Sequence, residues 1–141
     1  MKAFLDTSVL VATFYGEHEN HERSFNLFSV QQKPTACTAA HCLTEVYSVV
    51  TRMPGRNRAS PDEAMLFLQN ARERLSLVTL DDAEYFNVLG DAAVTGISGG
   101  TIYDAVIARC ALKAQAQQLY TWNTKHFVRL GENVAALVRQ P

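Results

Sequence analysis

The sequence predicts an α/β protein, a single domain of residues 1–141 in which helices cover both faces of a central, mostly parallel sheet of four to five strands. Three observations predict this three-layer α/β/α architecture. Short apolar runs that suit strands alternate with segments of helical length. Strands joined by such segments form parallel sheets, because a parallel crossover needs a dozen or more residues. The 141 residues suffice for one substantial core, and no repeat or long linker divides them.

The first half of the chain predicts two strands and three helices. The first strand ends at Asp6 and turns directly into an apolar helix. Apolar residues at helical spacing, including Cys42 and Val46, mark a third helix, which Thr38 is expected to cap. A Pro-Gly pair at 54–55 then stops this helix. The predicted elements are strand 4–5, helix 7–15, helix 20–31, strand 34–37 and helix 38–52.

Capping patterns mark the helices of the second half. Residues 60–63 (SPDE) combine a capping serine, a proline at the first helical position and acids in the first turn. Asp81 and Glu84 form a capping box for the next helix. The predicted elements are helix 60–74, strand 75–80, a helix opening at 81, loop 97–100, helix 101–117, strand 119–121 and an edge strand at 134–138.

Composition and charge exclude several classes of protein. Thirteen Lys and Arg oppose fourteen Asp and Glu, so the formal charge of −1 provides no general attraction to a polyanion. No apolar run approaches the roughly 20 residues that span a bilayer, and we do not expect the amino end, which has one positive charge and soon an acid, to act as a signal peptide. Three cysteines, Cys37, Cys42 and Cys110, cannot all pair with one another. Reduced thiols in the cytoplasm are therefore the simpler interpretation.

Three acids each have a local explanation. Asp6 can cap the helix after the first strand, Glu45 can lie on a solvated helix flank, and Asp104 can complete a capping box. One site explains all three together, because strand ends and the helix starts that follow them share one edge of a parallel sheet. The fourth strand adds Thr121 and Asn123 to this edge. Gathered oxygen ligands of this kind bind Mg²⁺ or Mn²⁺.

Four stretches of the chain resemble the four motifs of PIN-domain nucleases, above all those of the VapC-type ribonuclease toxins of prokaryotic toxin–antitoxin pairs. They are residues 5–8 (LDTS) with the apolar helix that follows, residues 43–46 (LTEV), residues 103–108 (YDAVIA) and residues 121–127 (TWNTKHF). The stretches keep the family's order and spacing, and the resemblance covers essentially the whole chain. It implies a PIN-like α/β/α domain.

The resemblance also implies a Mg²⁺- or Mn²⁺-dependent endoribonuclease. In similar proteins the acids that match Asp6, Glu45 and Asp104 hold the cation and activate water for attack on an RNA phosphodiester. A divalent cation lowers the pKa of bound water and offsets charge that develops at the phosphate, so no covalent nucleophile is required. The family often places a hydroxyl near the metal at the position that matches Thr7 or Ser8.

The last motif departs from the family pattern. Asn123 matches its polar position, but His126 stands where the family often carries a further acid. We therefore expect one tightly bound cation in the free protein, with a second, if any, recruited together with the substrate.

Partners are implied by the same resemblance: an RNA substrate, with tRNA the first candidate, and a cognate VapB-like antitoxin. Homodimers and toxin–antitoxin hetero-oligomers in the cytoplasm, without a membrane, are expected. Arg52, Arg56 and Arg58 surround the Pro-Gly turn and either bind RNA phosphates or belong to a solvated loop. Tyr103 and Trp122 are of a type that stacks on bases, but core packing is the expected role of both.

Other classes of protein fit the residues less well. A phosphotransferase of the haloacid dehalogenase type needs a second acid two residues after Asp6, and that position is Ser8. A zinc cluster of Cys37, His41 and Cys42 lacks a fourth ligand and has poor spacing. The main alternative is a non-catalytic PIN-like module that binds RNA or protein. Three intact carboxylates argue against it, because a binding module gains little from burying like charges together.

Overall fold

A five-stranded parallel sheet forms the centre of the protein in the computed structural model, which describes residues 2–141. The strands, in chain order, are β1 (Ala3–Leu5), β2 (Ala36–Ala39), β3 (Ser76–Val78), β4 (Gln118–Tyr120) and β5 (Val138–Arg139). Their order across the sheet is β3-β2-β1-β4-β5, and each neighbouring pair is parallel. The predicted α/β class is therefore confirmed.

Helices flank the sheet in two groups. Helices α1 to α4 pack on one another, as do α5 to α8. Their bounds are α1 Thr7–Phe14, α2 His21–Ser29, α3 Ala40–Arg52, α4 Pro61–Arg74, α5 Asp82–Thr95, α6 Thr101–Lys113, α7 Thr124–Val128 and α8 Glu132–Ala135, with a 3₁₀ turn at Gly55–Asn57. The successive strands are joined through helices, which the parallel sheet requires.

Strand β1 occupies the middle of the sheet and is buried on both faces. Ala3 lies opposite Ala36 of β2 on one side and opposite Gln118 of β4 on the other. Strands covered on both faces read as continuous apolar runs, which explains why Phe4 and Leu5 follow one another without alternation. The chain that leaves β1 therefore enters the centre of the sheet edge.

The predicted capping boxes are present at the starts of α4 and α5. The Ser60 hydroxyl accepts a hydrogen bond from the Glu63 amide at 3.1 Å, and the Glu63 carboxylate accepts one from the Ser60 amide at 2.9 Å. Asp81 and Glu84 make the equivalent pair at 2.8 and 2.9 Å. The hydrogen bonds of each capping box join residues three apart in the chain, which is why the sequence alone could predict them.

The predicted cap of α3 is wrong. Thr38 lies within β2, which extends to Ala39, and its hydroxyl donates to the Leu5 carbonyl at 2.7 Å. The residue before α3 is Ala39, which makes no side-chain cap. Thr38 is fully buried, and its hydroxyl is committed to the adjacent strand instead of to the helix.

Two predicted element bounds near the carboxyl end are also wrong. Strand β5 covers Val138–Arg139 and not 134–138, because α8 extends to Ala135. The strand pairs with β4 through bonds from Leu119 N to the Leu137 carbonyl and from Thr121 N to the Arg139 carbonyl. Helix α6 ends at Lys113, four residues before the expected end, where a turn with a left-handed residue at Gln115 leads into β4.

The cysteines are buried, free thiols in the core. Burial raises the pKa of Cys37 and of Cys110 to about 11 and that of Cys42 to about 12. They are neutral groups packed in the core. Among residues 2–141, no helix has both the length and the apolar composition needed to cross a bilayer.

Candidate active site

An acidic cleft of about 460 Å³ opens at the carboxyl ends of β1 and β4. The residues that line it come from the start of α1, the α1–α2 connection, α3, the start of α6 and the segment after β4. They are Asp6, Thr7, Ser8, Val11, His18, Glu19, Asn20, Glu45, Val49, Asp104, Trp122 and Asn123. The cleft thus brings together the three acids expected to share one site, with Thr7, Ser8 and Asn123.

Asp6 forms the buried end of the cleft, with only 2% of its surface exposed. Its Oδ2 accepts hydrogen bonds from Thr121 Oγ1 at 2.8 Å, from Ser8 Oγ at 3.0 Å and from Ser8 N at 3.4 Å. The bond from Ser8 N is the predicted helix cap. Burial raises the pKa of Asp6 above its usual range, and the hydrogen bonds from Thr121 and Ser8 oppose this increase.

Ser8 and Thr121 join the ends of β1 and β4 around this carboxylate. Ser8 Oγ accepts from Trp122 N at 2.9 Å, and Thr121 Oγ1 accepts from Asn123 N at 2.9 Å. Each hydroxyl therefore donates to Asp6 and accepts from the backbone after β4. Because each hydroxyl is engaged both as a donor and as an acceptor, the two hydroxyls hold Asp6 in one orientation.

Glu45 enters the cleft from the second turn of α3. Its Oε1 accepts a hydrogen bond from Thr7 Oγ1 at 2.7 Å, and its Oε2 lies 3.8 Å from His41 Nε2. Thr7 thereby connects the start of α1 to the acid on α3. Glu45 therefore lies in the cleft and not on the solvated helix flank that was its local explanation.

Asp104 enters from the first turn of α6 and is not part of a capping box. The residue before this helix is Gly100, which provides no side-chain cap, and Thr101 Oγ1 accepts from Arg129 instead. Asp104 Oδ2 lies 3.6 Å from His126 Nδ1. Burial raises the pKa of Asp104; His126 opposes the increase, and the Glu45 carboxylate adds to it.

The donor set of the cleft fits a hard divalent cation. Its acids and hydroxyls are oxygen ligands, the type that Mg²⁺ and Mn²⁺ prefer. A cation would also offset the cost of keeping Asp6 ionised while buried. Within residues 2–141, no three Asp, Glu, His or Cys side chains already stand together as a metal centre. Asp104 would exchange its contact with His126 for the cation.

The three predicted basic residues have different surroundings in the structure. Arg56 lines a second cavity, of about 800 Å³, which shares His18 with the acidic cleft and so adjoins it. Arg58 Nε donates to the Met53 carbonyl at 3.0 Å, and Arg52 is exposed at the last turn of α3. Neither Arg52 nor Arg58 lines either cavity.

Sequence reasoning missed several residues around the cleft. His18, Glu19 and Asn20 line it from the α1–α2 connection, a segment that carries no motif and is placed there by the packing of α2 on α1. Tyr103 is 52% exposed, so its expected core packing is wrong. Trp122 packs partly against the core, as expected, but also lines the cleft.

Comparison with known proteins finds a family and several relatives. A family model described as PIN domain matches residues 3–133 of this chain. Ribonuclease VapC40 of Mycobacterium tuberculosis is 32% identical over 114 residues, which cover 81% of this chain and 81% of that protein. Ribonuclease VapC27 of the same species is 30% identical over 114 residues, covering 80% of this chain and 79% of that protein.

Solved structures share the fold. A chain in the complex of Rickettsia felis VapBC2 with a fragment of promoter DNA has a TM-score of 0.66 at 18% identity and covers 100% of this chain and 99% of that chain. M. tuberculosis VapC20, described as a toxin that cleaves the sarcin-ricin loop, has a TM-score of 0.68 at 18% identity, covering 89% of this chain and 92% of that chain. At these identities the likeness concerns the fold alone.

Proposed function

The chain belongs to the PIN domain family, among the VapC-type ribonucleases, and from this premise we propose that it is a Mg²⁺- or Mn²⁺-dependent endoribonuclease. One observation supports the proposal above all others. Acids that are widely separated in sequence, Asp6, Glu45 and Asp104, line the same cleft. Burial raises the pKa of Asp6 and of Asp104, and the Glu45 carboxylate raises that of Asp104 further, a cost that a structural role alone does not explain.

The three carboxylates would hold the cation, and the surrounding hydroxyls would orient them. When bound, the cation would lower the pKa of a water molecule and offset the charge of the scissile phosphate. Thr121 and Ser8 hold Asp6 through its Oδ2, and Thr7 holds Glu45. Pre-oriented ligands reduce the reorganisation needed when the substrate binds.

RNA is the proposed substrate, and tRNA is the first candidate to test. Arg56 lines the cavity beside the cleft and would contact a phosphate of a strand that passes from the acids beyond His18. One structural relative is described as cleaving the sarcin-ricin loop, so a ribosomal RNA loop is the second candidate. A chain with no net positive charge depends on such local contacts.

A cognate antitoxin is the proposed protein partner. Two structural relatives, from Rickettsia felis and Salmonella typhimurium, were solved as VapBC complexes bound to DNA. We propose that this chain likewise acts as the toxin of a VapBC-like pair in the cytoplasm, as a homodimer within a hetero-oligomer. Light scattering of the chain alone, and of the chain co-expressed with the product of the neighbouring reading frame, measures both assemblies.

Cleavage of structured RNA by matched variants tests the activity. We expect Asp6→Asn to lower kcat/KM by about 100-fold or more, because a catalytic cation supplies several kcal/mol of transition-state stabilisation. Asp62→Asn, which changes an exposed acid in the first turn of α4, serves as the control and retains the wild-type rate. Equal cleavage by wild type and Asp6→Asn, or none by either with Mg²⁺ or Mn²⁺, would favour the non-catalytic binding module.

A further inference from the structure

A pair of stacked aromatic rings, of which one is exposed, lies next to two acids of the cleft in the chain and in space. The ring of Tyr103, in the first turn of α6, lies nearly parallel to the ring of His41, on α3, with 5.5 Å between centroids and 16° between planes. Tyr103 nevertheless keeps 52% of its surface exposed. His41 thus packs against one side of the tyrosine ring, and about half of the tyrosine surface remains open to solvent.

This pair is attached directly to the acids of the cleft. Tyr103 precedes Asp104 in the chain, and His41 Nε2 lies 3.8 Å from Glu45 Oε2. The Nε2 atom is buried without a hydrogen-bond partner among the described residues. The ring of His41 is therefore held between an acid and an aromatic ring. Any strand whose phosphate reaches Glu45 and Asp104 would pass beside Tyr103.

Trp122, the other aromatic residue near the acids, is less available. Its indole Nε1 donates to Ser24 Oγ at 2.8 Å, and the guanidinium of Arg23 lies over its ring, 5.4 Å from the centroid. One edge and one face of the indole are thus engaged by α2. Tyr103 also has a ring on one side, that of His41, but it keeps 52% of its surface exposed, whereas Trp122 is only partly exposed.

We propose that Tyr103, backed by His41, is a stacking platform for an unpaired nucleobase next to the phosphodiester in the cleft. The proposal rests on the proposed ribonuclease function and extends it to the shape of the substrate. Stacking on an aromatic ring tolerates any base, but the base must be free of its own stack. The platform therefore selects single-stranded or looped RNA over a continuous duplex, without reading a particular sequence.

Binding measured in an inactive background tests the platform independently of cleavage. Each variant is built in Asp6→Asn, and its Kd for a fluorescein-labelled single-stranded oligoribonucleotide is measured by anisotropy. We expect Tyr103→Ala to weaken binding about 5- to 150-fold, the range typical of one lost base–aromatic stack. Tyr103→Phe keeps the ring and shifts the Kd less than about twofold. Tyr85→Ala, which removes an exposed tyrosine of α5, leaves it unchanged.

Replacing single nucleotides of the oligonucleotide with abasic ones identifies the stacked base. At one position of the oligonucleotide, we expect the abasic change to weaken binding to protein that retains Tyr103. The same change is expected to have no further effect on binding to Tyr103→Ala, because both changes remove the same contact. Tyr103→Leu, which keeps apolar bulk without an aromatic ring, weakens binding as Tyr103→Ala does. Fully paired RNA shows no dependence on residue 103.

Unchanged affinity in Tyr103→Ala, with its circular dichroism intact, would overturn the platform. If wild type still cleaves RNA and Asp6→Asn does not, the platform alone has failed and the ribonuclease proposal stands. If wild type does not cleave but binding depends on Tyr103, the platform stands on a non-catalytic RNA-binding module. Equal losses in Tyr103→Ala and Tyr103→Phe would also overturn it, because the hydroxyl and not the ring would then carry the contact.

Discussion

Asp6 illustrates how one carboxylate serves the fold and the site at the same time. It caps α1 through Ser8 N, as a residue between a strand and a helix commonly does. It is also buried within the cleft and receives a second and a third hydrogen bond from hydroxyls. A cap on a protein surface needs neither of these additions. The extra bonds are the physical sign that this acid is held for another purpose.

A substitution at Thr121 tests how much the hydrogen bonds to Asp6 contribute to stability. Thr121→Val keeps the shape of the side chain but removes the bond to Asp6 Oδ2 and the acceptor for Asn123 N. We expect the free energy of unfolding to fall by about 1–3 kcal/mol, because buried partners lose their hydrogen bonds. Thr44→Val, an exposed change on α3, shifts it by less than about 0.5 kcal/mol. Urea unfolding measures both, and equal losses would contradict the assignment.

The cysteines give a prediction for pH and reactivity. Because burial raises their pKa to about 11 or 12, from 9.0, the folded protein keeps them protonated where the unfolded chain ionises them. Their contribution to stability is therefore complete below pH 9 and is lost as pH rises through the folded-state pKa values. At pH near 8, iodoacetamide is expected to react slowly with native protein and rapidly with all three thiols in urea. Rapid modification of native protein at three thiols would contradict this.

At the scale of elements, α5 shows how local signals define a helix. The capping box of Asp81 and Glu84 starts it, and Gly96, with φ of 78°, ends it in the left-handed conformation. Residues other than glycine rarely adopt that backbone conformation, so Gly96 ends the helix without conformational strain. Gly90 lies within the same helix with open space where a Cβ would stand.

The same substitution at these two glycines is expected to have opposite effects. Gly90→Ala should raise the free energy of unfolding by about 0.5–1 kcal/mol, because alanine loses less backbone entropy in a helix. Gly96→Ala should lower it by about 1 kcal/mol, because a Cβ disfavours positive φ. Each variant is the control for the other in urea unfolding. A change of the same sign in both would contradict this interpretation of α5.

At the scale of the whole molecule, the site exists because β1 lies between β2 and β4 in the sheet. Asp6 follows β1, Thr121 follows β4, and the helix after β2 carries Glu45. Asp104 belongs to α6, which packs against β2 as well as against α5 and α7. The cleft therefore forms together with the sheet, and no single element contains it.

Binding of a cation to such a site is expected to stabilise the whole fold. Saturating Mn²⁺ should raise the Tm of wild type, because a ligand at about 100 times its Kd adds about 2.7 kcal/mol. The Tm of Asp6→Asn should not change when Mn²⁺ is added. Without metal, the Tm of Asp6→Asn should be no lower than that of wild type, because a neutral amide replaces a buried carboxyl group. Asp62→Asn should respond as wild type does. A similar Mn²⁺ shift in Asp6→Asn would contradict the assignment of Asp6.

The number of ions is a separate expectation. With His126 in place of a common acid, we expect calorimetric titration of the free protein to find one tightly bound Mn²⁺. A second ion is expected, if at all, only with an RNA analogue that resists cleavage. Two tight sites in the free protein would contradict the reasoning from His126.

Local patterns determined much of the fold in advance. The starts of α4 and α5 were predictable because Ser60 and Asp81 bond to their own neighbours in the chain. The role of Thr38 was not, because its hydroxyl donates to Leu5 O on another strand. The carboxyl-terminal strand was misplaced for a related reason: its bounds depend on pairing with β4 and not on its own apolar residues.

For the site, the sequence by itself determined which acids belong together, since strand ends in a parallel sheet share an edge and the motifs keep their order. Tertiary structure alone decided what surrounds them. It placed His18 and Glu19 at the cleft, put Arg56 but neither Arg52 nor Arg58 in the wall of the adjoining cavity, and left Tyr103 exposed beside His41. Such placements depend on contacts between helices that are distant in the chain, and no local pattern of residues encodes those contacts.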